Sequence, residues 1–139
     1  MKLKIAKTYN RFIVFLLWIL GLGSAAVLKG CEYGSPYADF KISGTVTSQE
    51  SEKIPGIKVK VESDSTYTDS EGNYSIVIES SPNDQDFLIQ FSDVDGDENG
   101  SYQTLDTTVV FIDSEFKNGD GWYEGETSKE FDVQLKTEN

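Results

Sequence analysis

The sequence predicts an all-β fold: a single antiparallel sandwich of seven strands, preceded by an N-terminal signal helix. Three observations predict it. Apolar and polar residues alternate with period 2 in short runs, as they do on half-buried strands. Clusters rich in Gly, Asn, Asp, Ser and Pro separate these runs. Beyond residue 30 no stretch places apolar residues at i, i+3, i+4 and i+7 over three turns, so nothing there reads as an amphipathic helix.

In chain order, Phe40, Ile42, Gly44 and Val46 point one way while Lys41, Ser43, Thr45 and Thr47 point the other. Ile57, Val59 and Val61 repeat the pattern, and a short strand is expected at Thr66–Thr68. Tyr74, Ile76 and Ile78 follow, then Phe87, Ile89 and Phe91. At Val109 and Phe111 the neighbours Val110 and Ile112 are apolar too, which predicts a central strand covered on both faces. Phe131, Val133 and Leu135, against Asp132, Gln134 and Lys136, close the domain. Turns are expected at Ser48 to Glu52, Asp69 to Asn73, Ser81 to Asp84 and Lys117 to Gly121.

Charge divides the chain in two. Residues 1–30 hold Lys2, Lys4, Lys7, Arg11 and Lys29 and no acid; the other 109 residues hold 7 basic and 24 acidic groups. The first piece has the parts of a secretory signal: a basic start, the apolar run Phe12 to Leu20, and the small-residue stretch Gly21 to Ala26. Leu28, Gly30 and Cys31 then resemble a lipobox, with Lys29 standing where that pattern has a small residue. The resemblance implies a diacylglyceryl thioether on Cys31 and cleavage before it, with Leu28 and Gly30 read by the signal peptidase. Each buried methylene contributes about 0.8 kcal/mol, so two or three acyl chains hold a protein on a bilayer. The alternatives are an uncleaved membrane helix over residues 12–28, at the short end of the spanning range, and a buried free thiol. The expected organisation is a signal peptide over 1–30, a tether over 31–38, and a sandwich domain over 39–137. A domain of that size needs no disulfide to hold a core.

Two stretches carry more specific likenesses. Gly44-Thr45-Val46, then Ile54-Pro55-Gly56 with Val59 and Val61, then Thr68-Asp69 with Gly72 and Tyr74, resemble the carboxypeptidase regulatory-like, transthyretin-like sandwich domain. That likeness implies a folding and docking module, not a peptidase. Gly72 supplies the positive φ of a tight turn, Asp69 bonds backbone N–H groups beyond it, and Tyr74 re-enters the core. Cys31 to Phe40, Asp93 to Gly100 and Gly119 to Tyr123 are similar to a family of short Bacteroidetes lipoproteins associated with radical S-adenosylmethionine enzymes. This implies a cell-envelope lipoprotein, lipid-anchored to the outer membrane on its periplasmic or surface face, with a radical enzyme as partner or as modifier. Glu32 and Asp39, near the lipid site, resemble a surface-export signal.

Composition excludes several chemistries. The 139 residues contain no His and one Cys, with a net charge of −12. His-based general base catalysis, nucleophile–His pairs, His-containing zinc sites, CxxC pairs and internal disulfides all fall away. The negative balance opposes nucleic-acid phosphates. No enzyme is expected.

Two candidate sites remain. Asp93, Asp95 and Asp97, with Glu98, cluster the oxygens that calcium prefers. Counted from Asp93, however, Glu98 and Thr104 stand where an EF-hand has Gly and Glu. What remains is a non-EF calcium site, with Asp113 or Asp120 joining from neighbouring loops, or a solvated acidic loop. Trp122 and Tyr123 form either an exposed platform for a glycan or surface protein or a cover over a sandwich edge. Tyr33 and Tyr37 either lie at the lipid headgroups or pack on the first strand. The expectation as a whole is a non-catalytic, lipid-anchored binding or accessory module. Its alternatives are a radical-enzyme substrate and a calcium-dependent adhesive domain.

Overall fold

A computed structural model of the chain describes residues 9–16, 18 and 34–138. Residues 9–16 are helical, and Phe12, Val14, Phe15 and Leu16 on that helix are exposed. Among the described residues no helix is long and apolar enough to cross a membrane. Leu28, Gly30, Cys31 and Tyr33 lie outside the described residues.

From residue 35 onward the chain is all-β. The strands are β1 (Tyr37–Ser48), β2 (Ile57–Val61), β3 (Asp64–Tyr67), β4 (Asn73–Ser80), β5 (Gln85–Asp93), β6 (Leu105–Phe111), β7 (Lys117–Asp120), β8 (Tyr123–Glu130) and β9 (Val133–Leu135). They make two sheets. One has the order β4-β1-β8-β7, with β9 also pairing β1; the other has the order β3-β2-β5-β6. β1 starts at Tyr37, within the span expected as tether.

The inward row of β1 (Ala38, Phe40, Ile42, Val46) meets Val59, Val61, Phe87, Ile89 and Phe91 from the second sheet in one buried core. Alternation dictates this: residues two apart share a face, and each apolar row buries itself against the other sheet. Phe40 sits at the centre of an aromatic set, its ring 5.3 Å from Phe87, 5.2 Å from Phe111 and 5.4 Å from Phe116, all edge-on. Burying each such ring contributes about 1.5–3 kcal/mol, and edge-on pairing adds to it.

Three expectations need correction. Among the described residues there are nine strands rather than seven, because Lys117 to Gly121 is not only a turn: β7 and β8 form a hairpin there. The first sheet is mixed rather than antiparallel, since β1 pairs β8 and β9 in parallel. The strand containing Val109 and Phe111 is not central. β6 is an edge of its sheet, and Ile112 beyond it is 65% exposed. At this edge the Lys129 ammonium, reaching over from β8, donates to the Val110 carbonyl and lies over the Phe111 ring.

The parallel seam of β1 breaks where β8 ends and β9 has not begun. Phe131 N–H donates to the Ser43 carbonyl at 2.7 Å, and Thr45 N–H donates to Asp132 Oδ1 at 2.8 Å. The Tyr74 hydroxyl donates to the Phe131 carbonyl. A side chain at Gly44 would collide with that same carbonyl, so the seam closes only over glycine. Burial, and then the charge of Asp132, push the Tyr74 phenol well above its usual value. The neutral hydroxyl that the seam uses as a donor is therefore kept.

The turn before β4 follows the chemistry of its residues. Gly72 has φ +72°, and Asp69 Oδ1 accepts from the N–H groups of Glu71 and Asn73, each at 2.9 Å.

Gly44→Ala is expected to cost about 2–3 kcal/mol through forced backbone shifts. Tyr74→Phe is expected to cost about 1–2 kcal/mol through the unpaired Phe131 carbonyl. Urea unfolding measures both, and an unchanged midpoint in Gly44→Ala would contradict a closed seam.

Candidate functional site

The two candidate sites occupy opposite ends of the sandwich. β1 enters at Tyr37 beside the end of β4, and the short link from Ser81 to Asp84 carries the chain to the start of β5. β6 ends opposite the start of β5, and the β7–β8 turn lies beside Tyr37. The entry end therefore gathers Tyr37, residues 81–84, residues 112–116 and the turn holding Trp122. The loop from Val94 to Thr104 lies at the far end, where β5 stops and β6 begins.

At the entry end, Tyr37 N–H donates to the Trp122 carbonyl at 2.9 Å. The Tyr37 and Tyr123 rings lie 5.3 Å apart, tilted by 38°. The Tyr123 hydroxyl donates to Asp39 Oδ2 at 2.8 Å, and this bond, followed by burial and nearby carboxylate charge, raises the phenol above its ordinary value. Of the two aromatics weighed as a binding platform, Trp122 stays 52% exposed while Tyr123 is half-buried against β1. Tyr37 and Asp39 complete this group although they lie more than 80 residues away in the chain. Only the parallel pairing of β1 with β8 joins them, and alternation patterns carry no trace of which strands pair.

At the far end, the carboxylates are occupied by their own loop. Asp93 accepts from the N–H of Tyr102 at 3.0 Å and of Asp95 at 3.4 Å, closing the loop at its base. Asp95 accepts from the Asn99 side chain at 3.1 Å, and Asp97 from the Ser101 hydroxyl at 3.1 Å. The structure brings Asp93 and Asp95 together and turns Asp97 toward Ser101. Among the described residues no three acids, cysteines or histidines converge as a metal-holding group. Asp113 and Asp120, expected as contributors from neighbouring loops, belong to the entry end; the Asp113 N–H donates to Asp84 Oδ1 at 2.9 Å.

A third feature had no signal in the sequence. On the outer face of the second sheet, Lys60, Glu62, Asp86, Leu88, Gln90 and Asp106 line an open groove of about 490 Å³. Gln90 Nε2 donates there to Asp106 Oδ1 at 2.9 Å. Charges of both signs around one leucine suit a solvated sheet face.

No family model matches the chain, and no curated protein matches it.

Burial, and then the hydrogen bond and charge of Asp95, hold the Asp93 carboxyl above its ordinary range, against the two N–H bonds that pull it down. A carboxyl raised in the folded state keeps its proton more tightly there than in the unfolded chain. Stability is then lost as pH rises from the unfolded value through the folded one. Asp93→Asn retains an oxygen for Tyr102 and removes the charge. Its Tm relative to wild type is expected to be higher at about pH 7 than at about pH 3. Asp93→Ala, lacking the acceptor, should melt lower at both. Calorimetry in EDTA measures this, and equal losses in the two variants at neutral pH would show that the charge itself is required.

Proposed function

We propose that this chain is a non-catalytic module of a bacterial cell envelope, carried on acyl chains at Cys31 and presenting a β-sandwich as a binding or accessory body. The observation that carries the reading is positional. The chain's one cysteine follows a basic, apolar and small-residue series and precedes the first strand by six residues. The exposed apolar side chains of the helix over residues 9–16 support it, because such a segment suits a bilayer better than water. So does the core, whose described members all lie between Ala38 and Leu135.

Absence of His and of any nucleophile–His pair supports a binding role over catalysis. The surplus of 24 acidic residues over 12 basic ones supports a body that repels its neighbours and anionic surfaces. The transthyretin-like, carboxypeptidase regulatory-like assignment is supported by Gly44 at the seam, by the Asp69–Gly72 turn and by buried Tyr74. Membership of the radical-enzyme-associated lipoproteins of Bacteroidetes, and with it an outer-membrane address, is part of the proposal. Two of the stretches that carry that likeness, the entry to β1 and the β7–β8 turn, share the Tyr37–Trp122 hydrogen bond.

Metabolic labelling with an alkyne fatty acid in a Gram-negative host tests the anchor. The wild-type chain is expected to take the label on a band shortened by the first 30 residues, and Cys31→Ser to take none. An unlabelled wild type, or a label that persists in Cys31→Ser, would contradict it.

A further inference from the structure

We propose that the entry end of the sandwich, through Tyr37, Trp122 and Ile112, rests in the interfacial layer of a zwitterionic bilayer, so that the domain is held end-on. The inference rests on the lipid anchor proposed above and specifies the posture of the anchored body.

Three large apolar side chains are exposed at this end. Trp122 is 52%, Ile112 65% and Tyr37 39% exposed. Of the others on the sandwich, Val77 and Leu88 stand within β4 and β5, and Tyr67 and Val94 lie toward the far end without a tyrosine–tryptophan pair or the tether beside them. Rings with an apolar body and a polar tip favour the headgroup layer, where both parts are satisfied. Chain length then selects the bilayer over other occupants. Cys31 precedes Tyr37 by six residues, a reach of about 20 Å at full extension. Tyr37 N–H is in turn bonded to the Trp122 carbonyl, so the strand that follows the tether is joined directly to the turn that carries the exposed indole. A sulfur fixed at the membrane keeps this end within a few residues' length of it, and the entropy of confinement is already spent by the tether.

Charge selects the kind of surface. Asp84, Asp113 and Asp120 are exposed at the same end and would be repelled by anionic headgroups. The acidic loop from Asp93 to Glu98 points to the opposite end, away from the surface.

The sole cysteine allows a test that is independent of cellular processing. Trp18 lies within the first 30 residues, so a protein of residues 31–139 has Trp122 as its one tryptophan and Cys31 as its one thiol. It also holds every described residue of the core. Cys31 is coupled to a maleimide lipid in phosphatidylcholine vesicles. Trp122 emission is expected to move to shorter wavelength, to be quenched by lipids brominated near the glycerol, and to lose about twofold or more of its iodide quenching. Emission and iodide access unchanged by coupling would overturn the proposal and leave the patch to a protein partner.

Two further variants define the face. Ile112→Asp, at an exposed site, is expected to restore iodide access, and full protection in that variant would overturn the assigned face. Cys31→Ser with Glu98→Cys, tethered by the far end, should keep Trp122 open to iodide; equal protection from either tether would overturn an end-on posture. Bromolipid quenching undiminished on vesicles containing phosphatidylglycerol, a readout that the surface charge does not bias as it does iodide, would overturn the preference for a zwitterionic surface. Because the thioether is made chemically, failure of acylation in cells would appear in the labelling experiment and not in this one.

Discussion

Everything else in the sandwich hangs on the seam where β1 meets β8 and then β9. β1 is the strand that both halves of its sheet need, pairing β4 antiparallel on one side and the two parallel strands on the other. A parallel ladder interrupted mid-strand leaves backbone groups without partners, and a buried orphan is expensive. Here three hydrogen bonds bridge the break. The Ser43 carbonyl takes the Phe131 N–H, the Thr45 N–H goes to the Asp132 carboxylate, and the Phe131 carbonyl takes the Tyr74 hydroxyl. Glycine at 44 allows the approach that makes these bonds short. With the seam closed, Phe40 and Ile42 on one side of the break and Val46 on the other stay in the same inward row, and the core is continuous through them.

The parts of this fold that were legible in the sequence are those whose inward residues are large. β2, β4 and β5 show Ile, Val, Phe and Tyr at alternate positions, and all of these are buried. β8 was not legible because its inward positions are Tyr123, Gly125 and Thr127, of which only Tyr123 is a bulky apolar signal. Gly125 is buried with φ +111°, and a side chain there would collide with the Lys117 carbonyl of β7. A glycine required for close strand approach reads, in one dimension, as a turn. β6 misled in the opposite sense. Val110 and Ile112 suggested two covered faces, whereas the strand is an edge, with Lys129 bonded to its Val110 carbonyl.

The sites divide along the same physical line. Local chemistry was readable: Asp69 and Gly72 make the turn that their types dictate, and the aspartates of the far loop tie down the N–H groups and side chains nearest to them. That self-satisfaction also explains why a cluster of acids in sequence need not converge in space. Long-range assembly was not readable. Tyr37 and Asp39 join Trp122 and Tyr123 only because two strands separated by most of the domain run side by side in parallel.

The sandwich has two unlike ends. Aromatic and aliphatic side chains stand exposed where the chain enters from Cys31, and a hydrogen-bonded acidic loop caps the other end. A short tether turns this asymmetry into an orientation, since whatever holds Cys31 also holds the entry end close by. The claim on which this depends is covalent, and mass spectrometry of the N-terminal peptide from membrane-extracted protein tests it most directly. The account predicts a peptide that begins at Cys31 and carries a diacylglyceryl thioether. A peptide that begins at Met1, or an unmodified Cys31 within a longer one, would contradict it.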